Sequence, residues 1–254
     1  MASNDVLLAI GVFVALTAAA LITLLVCERV EHDQRAKAAG NVVRTVSNIF
    51  ALMTSLVLGV MITSARTTFE ETDRSVHALA SQLIVLDLTL SEYGPEADPT
   101  REQLRLYARQ VLHDAWPDRA AATTKVASSD VLFSQMSDGL RKLRPANVDQ
   151  RKIRDDARTQ LETLFEARWE VTGRSKDAVG GGAFVFVLAA WLIVIFSGFG
   201  YQAPMNALVV VIFVVSAALI AGTLYLVMDM EQPFRGTIRV SPAPLERALV
   251  EMAR

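Results

Sequence analysis

Residues 178–228 read AVGGGAFVFVLAAWLIVIFSGFGYQAPMNALVVVIFVVSAALIAGTLYLVM. None of these 51 side chains is charged, and the single break is the turn Gly200-Tyr201-Gln202-Ala203-Pro204. A bilayer core takes about 20 apolar residues of helix. The stretch therefore holds two spans, about 183–199 and 205–228, hinged at the Gly/Pro turn. Working outward, residues 6–27 are 22 positions without a charge, and a further apolar run, about 45–65, lies between Arg44 and Arg66. The pattern predicts an all-α polytopic membrane protein with four transmembrane helices in two pairs. The pairs, residues 1–66 and 178–228, flank a soluble helical domain at 67–177, and a tail at 229–254 packs on that domain.

The bulk figures agree with a membrane protein that has a large polar part: 254 residues, 52% hydrophobic and 20% charged. A formal charge of −2 argues against a nucleic-acid binder, which would show a basic face. The single cysteine, Cys27, excludes an intrachain disulfide framework and any multi-thiolate metal site. Residues 1–5 lack a basic n-region and the following apolar run exceeds a signal-peptide core, so the first span reads as a retained helix. Orientation stays open on charge alone. Arg29, Arg35, Lys37 and Arg44 crowd the first loop, while Arg66, Arg74, Arg168, Arg174 and Lys176 flank the middle region and Arg235, Arg239, Arg247 and Arg254 follow the last span.

The second span is expected to run straight into the soluble domain. Phe69, Val76, Leu79, Leu83, Leu86, Leu90 and Tyr93 step by seven, three, four, three, four and three, an a/d seam for helices packed along their length. Tyr93-Gly94-Pro95-Glu96 ends it. Asp98-Pro99 reads as N-cap plus first-turn proline of a helix reaching Trp116-Pro117. After a poorly patterned linker at 118–129, Asp130 is expected to cap a short helix with Phe133, Met136, Leu140 and Leu143 inward. Asn147-Val148-Asp149-Gln150 has the form of a capping box for a last long helix bearing Ile153, Ala157, Leu161, Leu164 and Val171. Thr237 to Val240 reads as extended, and Ser241-Pro242 opens a small helix with Leu245, Ala248, Leu249 and Met252 on one face.

Chemistry concentrates on the second span. Asn48, Ser55, Gly59 and Thr63 fall within about 80° of one another at about 100° per residue, with Arg44 and Arg66 at the two ends of the stripe. Such a stripe has two readings. Polar residues in a membrane helix face the bundle interior or a water-filled cavity, and these would line an ion pathway with rings of Arg at its mouths. Alternatively Asn48, Ser55 and Thr63 hydrogen-bond between helices, Gly59 permits close packing, and the two Arg reach the interfaces. Glu70 and Asp73 continue the stripe and weigh against anion selectivity. Asp87, inside Leu83-Ile84-Val85-Leu86-Asp87-Leu88, is a candidate buried charge that needs a cation or several donors. Ala217/Ala221 and Ala218/Gly222 fit small-residue helix packing. Gly180-Gly181-Gly182 lacks the trailing Lys and Ser/Thr of a phosphate loop. His32, His77 and His113 are scattered, and no catalytic, cofactor-binding or metal-binding motif is present. The chain is not expected to be an enzyme or to need a cofactor.

Three passages carry a resemblance: Val57-Leu58-Gly59 through Ser64-Ala65-Arg66-Thr67-Thr68-Phe69; Leu86-Asp87-Leu88-Thr89-Leu90-Ser91-Glu92-Tyr93-Gly94-Pro95-Glu96; and Met228-Asp229-Met230-Glu231-Gln232-Pro233-Phe234-Arg235-Gly236 through Ile238-Arg239-Val240-Ser241 and Pro244-Leu245. Together they resemble the bacterial bestrophin-like membrane proteins, over most of the chain and least from about Trp116 to Asn147. Bestrophins are anion channels of four membrane helices and a helical cytosolic part, assembled in rings of five around the second helix. The resemblance implies a multi-pass protein of the bacterial plasma membrane, with soluble domain and termini cytoplasmic, and a homo-oligomer that passes an inorganic anion such as chloride. Bulky apolar side chains narrow bestrophin pores; Leu52, Leu56, Val60 and Ile62 are of that type, but none aligns to a given family position. The alternative is a non-conducting membrane scaffold whose soluble bundle binds a partner.

Overall fold

The computed structural model describes residues 2–28, 34–116, 129–177, 181–201, 203–234 and 236–254. Residues 118–128 of the expected linker, Arg29, His32, Gly180, Gln202 and Arg235 lie outside them. Every regular element among the described residues is helical: α1 (Ala2–Glu28), α2 (Gln34–Tyr93), a 3₁₀ turn (Pro95–Ala97), α3 (Asp98–Ala115), α4 (Ser129–Lys142), α5 (Val148–Asp177), α6 (Gly181–Gly200), α7 (Ala207–Met230) and α8 (Ala243–Met252). Three are long and apolar enough to cross a membrane: α1 over Val6–Val26, α2 within Val42–Tyr93, and α7 over Ala207–Met230. The apolar part of α6, Val185–Gly200, is shorter.

The chain divides into two compact units. The first comprises Met1–Thr68, Ala178–Gln232 and Gly236–Ile238. In it α1 packs against α6 and α7, burying Leu16, Ala20, Leu188, Leu192, Phe196, Ala217 and Leu224. Lipid is as apolar as these side chains, so close contact rather than water exclusion holds the helices together. Small residues set that closeness. A Cβ on Gly200 would stand 3.0 Å from the Ala20 carbonyl oxygen and 3.2 Å from Thr23 Cβ. Where α2 meets α6, a Cβ on Gly198 would overlap Ser47 Oγ, and Phe50 meets Trp191 edge to face at 5.6 Å. The two small-residue pairs of α7 part ways: Ala217 and Ala221 are buried, whereas Ala218 and Gly222 are exposed. Beyond α7, the buried Asp229 accepts from Thr237 N and Ile238 N, both at 2.8 Å. Gly236 makes room, because its Cβ would come within 2.6 Å of Asp229 Oδ1.

The second unit comprises Phe69–Asp177, Pro233–Arg235 and Arg239–Arg254. Its core is the expected seam of α2, with Val76, Leu79, Leu83, Leu86, Leu90 and Tyr93 all buried, against Leu104, Tyr107, Met136, Leu161 and Leu164. Each such Leu contributes about 1.5–3 kcal/mol. α2 stops at Tyr93 because Gly94 adopts φ 113, a left-handed value that disfavours side chains, and Pro95 follows. Asp98 is already helical rather than a cap: the 3₁₀ turn leads into α3, Ala97 takes the cap position, and no side chain caps the helix. α4 begins at Ser129, one residue before the expected cap Asp130, and buries Leu132 with Met136 and Leu140 while Phe133 is half-buried. Asn147 Oδ1 accepts from Gln150 N at 2.7 Å, and the Gln150 side chain reaches back to Ala146 N at 2.8 Å. α8 buries Leu245, Ala248 and Met252 in this core. Trp116 Nε1 donates to Val240 O at 3.0 Å and its ring meets Phe234 edge-on. Arg168 joins α5 to α4 through Asp130 and Ser129, at 2.7 and 2.6 Å, with its guanidinium 5.9 Å from the Tyr107 ring centroid. Burial pushes the Tyr107 phenol up to about 12, with Arg168 opposing.

Candidate functional site

The membrane part of α2 has two faces. Its packed face carries Ser47, Thr54 and Ala65, all buried, about 100–120° around the helix from Asn48. The stripe lies on the other side: Arg44, Asn48, Ser55, Gly59, Thr63 and Arg66 are all exposed in the single chain. Close packing at Gly59 is absent within the chain, since a Cβ there would meet nothing within 4 Å. Leu52 and Leu56, 74% and 70% exposed, share this side.

Hydrogen bonding sorts the polar groups. Thr63 Oγ1 donates to Gly59 O at 2.9 Å and Thr54 Oγ1 to Phe50 O at 2.8 Å, so both protons go back to their own helix. The Thr63 oxygen then presents its lone pairs on the exposed stripe, and the Thr54 oxygen does so on the packed face. Asn48 and Ser55 have no partner among the described residues, which leaves an amide and a hydroxyl as donors on the stripe. Further along α2, Glu70 lies 3.6 Å from Arg74 and Asp73 lies 3.9 Å from His77.

Beside the stripe, a cavity of about 780 Å³ opens between α2, α6 and α7. Thr54, Ser55 and Gly59 line it from α2, Phe196 from α6, and Ser216 and Thr223 from α7. Sequence reading missed Thr54, Ser216 and Thr223. Lone hydroxyls in uniformly apolar runs give no periodicity that tells a cavity from lipid.

Asp87 belongs to the second unit. It is 4% exposed, and Arg101 grips it with Nε to Oδ1 at 3.0 Å and Nη2 to Oδ2 at 2.9 Å. That hydrogen bonding raises the Arg101 pKa against the opposing effect of burial. The pair clamps α2 to α3 as a two-point ion pair. Among the described residues no group of three or more His, Cys, Asp or Glu side chains could hold a metal ion.

No curated protein and no solved structure matches the chain. The family model described as the Bestrophin-like domain matches residues 14–245, nearly the whole length, and the chain belongs to the Bestrophin-like family.

Proposed function

We propose that copies of this chain assemble around α2 into a multi-pass membrane channel for small inorganic anions such as chloride. The observation that carries this reading is the exposed stripe of α2. Asn48, Ser55 and Thr63, with Arg44 and Arg66 at its ends, face away from the side that packs within the chain. Polar groups in a membrane helix face protein or water rather than lipid. Several α2 helices around a wet axis would meet that requirement, with five copies by analogy to the bestrophin ring. Arg44 and Arg66 would concentrate anions at the mouths, Asn48 and Ser55 would donate to them, and Leu52 and Leu56 would narrow the path. Glu70 pairs along the helix with Arg74, which moderates its repulsion, and His77 beside Asp73 does the same only when protonated. α6, with 20 residues, is long enough at about 30 Å to be the fourth span. The soluble unit and both termini would then lie in the cytoplasm of a bacterium.

Substituting Ser55→Leu together with Thr63→Leu is expected to abolish anion flux while the detergent-solubilised oligomer keeps its size. Unchanged flux would remove α2 as the lining. A second reading, a non-conducting scaffold, draws on Val148, Phe165 and Trp169 of α5, exposed by 79%, 41% and 69%. In that case Trp169→Ala would be the damaging change and the stripe would tolerate Leu.

A further inference from the structure

The second unit holds a cavity of about 430 Å³ lined by Glu96, Pro99, Thr100, Gly139, Lys142 and Arg144. α3, 18 residues long, begins at this wall, where the Asp98 N–H is bonded to Pro95 O and Pro99 has no N–H to offer. Thr100 is only 4% exposed, lines the cavity, and its hydroxyl has no hydrogen-bond partner among the described residues. α4 makes room for that hydroxyl: a Cβ on Gly139 would stand 2.6 Å from Thr100 Oγ1. One turn further along α3, Gln103 Oε1 is buried without a partner, 3.5 Å from the same position. Its amide can present N–H₂ instead by a flip. Thr100 therefore offers an unpartnered hydroxyl to the cavity, while Gln103 lies one turn behind its wall, outside the lining.

The surrounding charge gives its sign. Lys142 and Arg144 form no ion pair with any described residue, and residues 141–158 hold seven Lys or Arg against three Asp. The first-turn carboxylate Asp98 is directed to Arg101, 3.8 Å away. Glu96 remains on the wall as a carboxylate.

We propose that this cavity binds a phosphate group. A tetrahedral oxyanion has enough acceptors to meet the Thr100 hydroxyl and the two cations Lys142 and Arg144 at once. A phosphate that keeps one proton can also donate to Glu96, which sulfate at neutral pH cannot do.

The test is calorimetric titration of the full-length detergent-purified protein with inorganic phosphate, at constant potassium chloride. Saturation near one phosphate per protomer is expected, with affinity reduced about tenfold or more in Thr100→Val and in Lys142→Ala. Arg141→Ala, whose side chain lies toward Asp138 at 3.8 Å, is expected to retain it. Ser55→Leu, which tests the pore, is expected to leave binding unchanged, so the two proposals fail separately. Glycerol 3-phosphate in a parallel titration distinguishes a lipid-type phosphate monoester from free phosphate by which binds tighter. No heat from folded wild-type protein, or equal affinity in Thr100→Val and Lys142→Ala, would overturn the assignment.

Discussion

A carboxylate taken out of water needs a cation in good geometry, and Asp87 has one. Arg101 holds both of its oxygens while the Arg101 side chain is itself only 19% exposed. Removing one partner of such a pair typically costs about 3–5 kcal/mol, because the other charge stays buried and unpaired. Asp87→Ala is therefore expected to lower the melting temperature clearly. Asp87→Asn, which keeps one acceptor, should be milder and should leave ion flux intact in assembled protein. Loss of flux from assembled Asp87→Asn oligomers would give this residue a role in conduction instead. The need for a cation is legible in an Asp set among Leu, Ile and Val. Which cation is not legible, because Arg101 reaches Asp87 only after the Gly94 turn folds α3 back along α2.

Element ends were readable because they rest on local chemistry. Gly94 with Pro95 stops α2, and Asn147 with Gln150 starts α5, each by a rule that spans four residues or fewer. The Asp98 expectation missed because a 3₁₀ turn feeds α3 directly and fills the cap position with Ala97. Faces of membrane helices are harder. Ser47 and Thr54 pack inward while Ser55 and Thr63 face out, yet hydroxyls in apolar runs look alike when both sides of a helix are apolar. Gly198 illustrates contact that spacing alone cannot locate. Gly198→Val is expected to push α2 from α6 and to cost about 1–3 kcal/mol by overpacking. Ser47→Gly in the same chain should recover part of the loss, measured as a double-mutant cycle in thermal stability. Additive effects would mean that the two residues are not in contact.

At the scale of the whole molecule, one helix of 60 residues runs through both compact units. Its run from Arg44 to Tyr93 was foreseeable, since an apolar span and an a/d seam adjoin there. Its start at Gln34 was not: Arg35, Lys37 and Arg44, read as first-loop residues, lie within the helix, because charge marks the end of the apolar run and not the end of the helix. In the proposed assembly the exposed stripe meets other copies of the chain, and pairing between copies would leave no periodic mark in a single sequence. The central claim is that Asn48, Ser55 and Thr63, between Arg44 and Arg66, form the wall of an anion path. Current through a planar bilayer containing the purified oligomer, under a potassium chloride gradient, tests it most directly. The account predicts a steady conductance that reverses near the chloride potential and shifts toward the potassium potential in Arg66→Ala. Reversal of the wild-type current near the potassium potential, or no current at any voltage from assembled oligomers, would contradict it.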